Sequence, residues 1–166
     1  MEAIPDLIGD GLRVLFCGIN PGLMSAATGH HFARPGNRFW PALHLSGFTP
    51  RQLKPAEQEE LLTYRLGITN VVDRPSAGAR DLTKAEYVAG GKNLVKKVLR
   101  YQPEWLAVVG VTAYRDAFGE RMAAVGKQDR MIGETRVWIL PNPSGLNAHY
   151  TLPKLAEAFA ELERVS

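Results

Sequence analysis

Residues 12–17 (LRVLFC) and Trp105–Val109 (WLAVV) are apolar almost without a break over the length of one short strand. A half-exposed strand alternates apolar and polar residues, because successive side chains point to opposite faces. Near-continuous hydrophobicity therefore requires cover on both faces, the condition of a parallel sheet packed between helices. Residues 67–72 (GITNVV) and 136–140 (RVWIL) are equally short, rich in branched or aromatic residues, and bounded by Gly, Pro or Asn. They complete a set of four predicted strands.

Helical patterns fill the intervals. Thr83 opens a capping box with Glu86. The segment from there to Tyr101 puts Tyr87, Leu94, Val95, Val98 and Leu99 on one side, with Lys92, Lys96, Lys97 and Arg100 elsewhere, the lysines on a solvated face. Gly90 and Gly91 lie inside this segment. Each costs about 1 kcal/mol relative to Ala, so the pair predicts either a close approach of another element or a break. Further helices are expected over 38–45, 56–64 and 112–118, and a final one over 152–165. Strands alternating with helices predict an α/β fold: a single domain over residues 1–166, three layers α/β/α with a mostly parallel central sheet.

With 166 residues, 45% of them hydrophobic, the chain is long enough to hold a core without disulfides. Its single cysteine, Cys17, excludes a four-cysteine iron–sulfur cluster and the common structural zinc sites. His30, His31 and His44 have no acidic partner nearby and make no metal set, so neither metal nor cofactor is expected. No apolar run reaches membrane-spanning length, and the N-terminal MEAIPDLIGDGLR has neither a basic start nor an apolar core. A cytoplasmic protein without membrane association is the expectation. The net charge is only +3, but acids are absent between Asp10 and Glu57 and again from Thr135 to Ala156. If these stretches meet in space, one face is positive and suits a polyanion.

In an open parallel sheet the ligand crevice lies beyond the carboxyl ends of the strands. The segments there are Gly18-Ile19-Asn20-Pro21-Gly22, Asp73-Arg74-Pro75, Gly110-Val111-Thr112 and Pro141-Asn142-Pro143-Ser144-Gly145-Leu146. Two Asn-Pro dipeptides at two strand ends are the most distinctive feature. Neither loop is a Walker loop or a G-x-G-x-x-G fingerprint.

Gly18-Ile19-Asn20-Pro21-Gly22 and Asn142-Pro143-Ser144-Gly145-Leu146 resemble the paired motifs of the mismatch-specific uracil/thymine DNA glycosylases, a branch of the uracil-DNA glycosylase superfamily. Phe32-Ala33, Asn37-Arg38-Phe39-Trp40, Gly67-Ile68-Thr69-Asn70, Val72-Asp73-Arg74-Pro75, Gly90-Gly91 and Tyr101-Gln102-Pro103 are similar in order and spacing, so the resemblance covers nearly the whole chain. It implies a uracil-DNA-glycosylase-like fold, a monomer, and base excision on double-stranded DNA carrying a mismatched or damaged pyrimidine. The base is flipped into a pocket and its N-glycosidic bond is hydrolysed, leaving an abasic site.

The resemblance assigns Asn20 to positioning the attacking water. An amide accepts from water but does not ionise, so it orients rather than removes a proton. Asn142 stands where other branches carry a His that stabilises the departing base, and it supplies a neutral donor. Both residues also suit plain turns before proline. Ile19 belongs to the same base-binding pocket. Gly22 takes the place of a Tyr that blocks the pyrimidine 5-methyl group in the uracil-strict branch, so thymine and bulky modified bases are admitted. Phe32 is similar to the family's stacking residue, and by itself could equally be core. Asn70 either reads a pyrimidine edge or ends its strand. Ser144, Gly145 and Asn147 are expected against DNA, the first two through backbone N–H groups. Leu146 is the family's wedge in the gap left by the flipped nucleotide, or otherwise a core cap over the loop.

Two expectations stand apart. The closest family pattern follows its wedge with Ser and an Arg that plugs the helix, whereas this chain has Asn147-Ala148-His149-Tyr150, which puts strict mismatch dependence in question. Asp73, just beyond the second strand, is expected at the crevice mouth, either as a catalytic carboxylate that assists water or the sugar cation, or as a structural partner of Arg74, Arg80 or a turn. Absence of a lysine from both motif loops makes the expected enzyme monofunctional. The alternatives are a broader uracil-DNA glycosylase acting also on U:A pairs and single strands, a damage-binding module without turnover, and an unrelated α/β nucleotide-binding domain.

Overall fold

The computed structural model describes residues 3–166, so the first two residues of the N-terminal segment read above lie outside the described residues. Strands β1 (Val14–Gly18), β2 (Leu66–Asn70), β3 (Trp105–Val109), β4 (Gly126–Ile132) and β5 (Thr135–Leu140) form one sheet in the order β2-β1-β3-β5-β4. The β1–β2, β1–β3 and β3–β5 pairs are parallel, and β4 is antiparallel to β5. The helices are α1 (Leu23–Thr28), α2 (Phe39–Leu45), α3 (Lys84–Tyr101), α4 (Val111–Phe118) and α5 (Leu152–Val165), with 3₁₀ turns at Pro55–Tyr64 and Ala79–Asp81. No helix among the described residues is long and apolar enough to cross a membrane.

The continuous apolar runs split, residue by residue, between two cores. Val14, Phe16, Trp105 and Ala107 face one way and pack with Phe39 and Leu43 of α2 and Phe159 and Leu162 of α5. Leu15, Cys17, Leu106 and Val108 face the other way, against Leu94 and Val98 of α3 and Ala113 and Tyr114 of α4. Period-2 alternation on strands buried on both faces produces the three layers.

Helix α3 begins as expected: the Glu86 N–H donates to Thr83 Oγ1 at 3.2 Å, and Glu86 Oε1 accepts from the Thr83 N–H at 3.0 Å. Its two glycines are close approaches and not a break. A Cβ on Gly90 would stand 2.1 Å from the Val71 carbonyl oxygen, and one on Gly91 would stand 2.4 Å from that of Ala117. Two residues of this helix depart from the sequence reading. Leu99 is 49% exposed and lies against Gly133 outside the core. Lys97 leaves the solvated face to meet Asp6 at 2.5 Å and Thr69 Oγ1 at 2.8 Å, tying the N-terminal segment to β2.

The expected helix over 56–64 is a 3₁₀ segment, and α1 was not anticipated. Nor was β4, whose sequence GKQDRMI carries almost no apolar signal. An edge strand needs cover on neither its outer face nor its outer backbone, so polar residues suffice. Its register comes from pairing with β5 across a short turn in which Gly133 takes φ +58°, a conformation that favours glycine.

Candidate active site

The carboxyl ends of β1, β2, β3 and β5 open on one cleft of about 750 Å³. Ile19, Asn20, Gly22, Phe32, Asn70, Asn142, Ser144, Leu146 and Asn147 all line it, so the structure brings both Asn-Pro corners to a shared cavity. Gly145, exposed on the same loop, and Asp73 do not line it.

The first corner is locked onto the segment after β2. The Val71 and Val72 N–H groups donate to the Gly18 and Ile19 carbonyls, each at 2.9 Å, and the Ser76 N–H donates to the Pro21 carbonyl at 3.1 Å. Asn20 Nδ2 donates to the Arg74 carbonyl and to Ser76 Oγ, both at 2.8 Å, and Ser76 Oγ in turn donates to the Gly78 carbonyl. A carbonyl oxygen only accepts, so the amide nitrogen must face Arg74. Asn20 itself lines the cleft, and its Oδ1 has no partner among the described residues.

The second corner is arranged in the opposite sense. Asn142 Oδ1 accepts the Ser144 N–H at 2.9 Å, closing an Asx turn, and its Nδ2 has no partner among the described residues. Asn147 Nδ2 donates to the Asn142 carbonyl at 3.0 Å, and Ser144 Oγ accepts the Leu146 N–H at 3.2 Å. The expectation that Ser144 offers its backbone N–H outward is therefore corrected, because Asn142 occupies it. The Gly145 N–H has no partner among the described residues. Glycine is required at 145 because a Cβ there would stand 2.7 Å from the Gly36 carbonyl oxygen.

Leu146, at the tip, is 75% exposed, which removes the core-cap reading. Phe32 combines both of its readings. Its ring stacks on buried Phe39 with centroids 4.1 Å apart and an interplanar angle of 19°, while also lining the cleft. It is held at φ +53°, a left-handed backbone that costs about 1–2 kcal/mol in a residue other than glycine. Asn70 is buried at the cleft floor and makes no side-chain hydrogen bond among the described residues. Gly18 makes room for it, since a Cβ there would lie 2.6 Å from Asn70 Oδ1. Gly22 is different: a Cβ would meet nothing within 4 Å, so neither backbone nor packing demands glycine there.

Asp73 does not reach the cleft. Val71 and Val72 both turn into the α3-side core, and the chain passes over Gly90. Asp73 consequently lies exposed on a second hollow of about 180 Å³, shared with Glu86 and Lys97 and adjoining the cleft at Asn70. Of its expected structural partners, Arg74 is taken, because it pairs with Glu86 at 2.8 Å and holds that carboxyl low, at about 2.

Among the described residues no Asp or Glu lines the cleft, whereas Arg34 and His149 do. The two acid-free stretches meet here: Arg38 donates to the Ser144 carbonyl at 2.7 Å, to that of Asn147 at 3.1 Å and to that of Tyr150. His31, buried at the cleft wall, has its pKa lowered by that burial, and its Nε2 lies 3.0 Å from the Pro5 carbonyl. Ser76, Arg38, Arg34 and His31 had no site role in the sequence reading. A serine three residues after Asp73, and an arginine in an otherwise apolar helix start, were the only signals available.

A family model for the uracil DNA glycosylase superfamily matches residues 5–163. Among solved structures, the fold is similar to the solution structure of "a putative Uracil DNA glycosylase from Methanosarcina acetivorans", with a TM-score of 0.56 and 20% identity over 98% of each chain. The sheet order, the paired corners over one cleft and a match running through almost every element agree: this chain belongs to the uracil DNA glycosylase superfamily.

Proposed function

We propose that the protein is a monofunctional DNA glycosylase that removes uracil, together with thymine or modified cytosines, from G:U and G:T mismatches in duplex DNA. Superfamily membership supplies the coarse activity, glycosylase hydrolysis on DNA. The finer reading rests on one observation, the opposed amides of Asn20 and Asn142 across a shared cleft.

N-glycosidic cleavage leaves an anionic base and an oxocarbenium-like sugar, so the site needs an acceptor for water on one side and a donor to the base on the other. Asn20 Oδ1 accepts from the water that attacks C1′, and its anchored Nδ2 keeps that oxygen aimed. Asn142 Nδ2 donates to the departing base. Neither amide takes a proton, and no carboxylate among the described residues lines the cleft, so catalysis proceeds by orientation and charge stabilisation. Phe32 stacks on the extruded base, an interaction worth about 1–3 kcal/mol, and its strained backbone is part of that preorganisation. Asn70 supplies unpaired amide groups for a pyrimidine edge. The space beside Gly22 takes a 5-methyl group. Leu146 fills the gap in the duplex, and Gly145 presents its N–H to the phosphate backbone.

Ala148 and exposed His149 favour a second reading, a broader uracil-DNA glycosylase, since neither reproduces a plugging arginine against the opposite guanine. Oligonucleotides carrying U:G, T:G, U:A and single-stranded U, incubated with the protein and then treated with alkali, test both. The proposed enzyme gives alkali-dependent scission at U:G and T:G and far less at U:A. Equal scission at all uracil substrates establishes the broader enzyme. Tight binding with no abasic product establishes a binding module.

A further inference from the structure

We infer that Arg38 is a positioning residue that holds the leaving-group amide of Asn142 and the apolar tip Leu146 as one unit. This rests on the glycosylase reading above for its catalytic consequence, but its structural basis is independent. Arg38 occupies the N-cap position of α2 and is not among the residues that line the cleft. Its backbone N–H donates to the Pro143 carbonyl at 2.9 Å, and its guanidinium reaches the carbonyls of Ser144, Asn147 and Tyr150. The entire 143–150 turn is thus wound around a single side chain.

The connections continue to the amide itself. Asn147, whose carbonyl Arg38 holds, donates through Nδ2 to the Asn142 carbonyl. Ser144, whose carbonyl Arg38 also holds, donates its N–H to Asn142 Oδ1 and leaves Nδ2 unpartnered. Removing the fork releases both arms of the Asx turn that aims the donor. A guanidinium is suited to this work because its planar donors diverge in a fixed geometry that a lysine ammonium does not reproduce.

Charge adds a second contribution. Arg38 takes part in no ion pair among the described residues, and its Nε is buried without a partner. A stabilising surface arginine pairs with a carboxylate or solvates. This one brings a positive charge, with no carboxylate partner among the described residues, to the carbonyls of the loop whose Asn142, Ser144 and Asn147 line the cleft. In a trans peptide the C=O and N–H point oppositely, so holding the Ser144 carbonyl also directs the Gly145 N–H outward.

Arg38→Met removes the fork and the charge while retaining an apolar stem, and Arg38→Lys retains the charge alone. In the free protein, amide exchange over 144–150 is expected to accelerate at least about tenfold in Arg38→Met with α3 and the sheet unchanged. Single-turnover release of uracil from U:G should slow by about tenfold or more. Release of 5-fluorouracil, a better leaving group, should slow much less, since it depends less on a donor to the departing base. Combining Arg38→Met with Asn142→Ala should slow release by clearly less than the product of the two single effects. A purely structural role slows both bases equally and adds to Asn142→Ala, and either result overturns the inference, as does unchanged exchange over 144–150. If Arg38→Met does not fold, Arg38→Lys carries the same comparisons with smaller factors. A parent protein that releases neither base overturns the glycosylase reading instead, and exchange over 144–150 then decides the clamp by itself.

Discussion

Asn20 and Asn142 are the same side chain followed by the same proline, yet they are held in opposite senses. Asn20 commits its nitrogen to Arg74 and Ser76 and shows its oxygen, whereas Asn142 commits its oxygen to Ser144 and shows its nitrogen. Their supports differ as well. The first corner is stitched to the backbone beyond β2 through Val71, Val72 and Ser76, and the second hangs over solvent around one arginine, with Leu146 75% exposed at its tip. A water to be held near C1′ calls for a fixed acceptor on the sheet edge. A wedge and a donor that engage an incoming duplex belong on the loop that projects toward it. In the proposed mechanism one residue type serves both tasks because an amide carries donor and acceptor, and its neighbours select which is offered.

The comparison breaks most visibly at the fixed corner. Asn20→Ala should lower single-turnover release of uracil from U:G by about 10²–10³-fold with duplex binding retained, read by quenched-flow and by anisotropy. Equal activity would show that its oxygen holds no water. Asn142→Ala should lose less, about tenfold to a hundredfold, because a neutral donor contributes less than a positioned nucleophile; a loss as large as that of Asn20→Ala would make the two corners equivalent. For Leu146→Ala, the lost burial of a leucine side chain in the stack, about 1.5–3 kcal/mol at full insertion, predicts a roughly tenfold weaker commitment to flipping. The deficit should be larger for a stable U:A pair than for U:G, measurable with a 2-aminopurine reporter beside the target. Gly22→Tyr leaves folding intact and should reduce thymine release at least about tenfold while uracil changes little, one ring against a methyl group being a steric exclusion. Thermal melting establishes the first half and a U:G against T:G rate ratio the second. Asp73→Asn is the smallest effect, within about twofold of the parent, since a surface carboxylate outside the cleft contributes little. A large loss there would mean that the hollow it shares with Lys97 communicates with the reacting atoms.

Much of this arrangement is legible before folding is considered. Apolar runs almost free of polar interruption required helices on both sheet faces, and Val14 to Cys17 do divide strictly between the two cores. Thr83 and Glu86 announced the start of α3, and the Gly90-Gly91 pair announced a close neighbour. Strand β4 escaped because a polar edge strand has no hydrophobic period of its own. Asp73 was misplaced because a position just after a strand does not specify where the chain turns next, and here two valines carried it over α3.

The sequence by itself determined the layered sheet, the ends at which chemistry can occur, and the two Asn-Pro corners at those ends. These follow from hydrophobic period and turn chemistry, which operate over a few neighbouring residues. Only the tertiary structure decided which atom each asparagine offers, and which arginine holds the exposed loop. Asn20 is oriented by a carbonyl 54 residues along the chain, and the Asn142 loop is clamped from Arg38, 106 residues from Ser144. An amide has two nearly isosteric ends, so its orientation is set by partners that are distant until the chain folds.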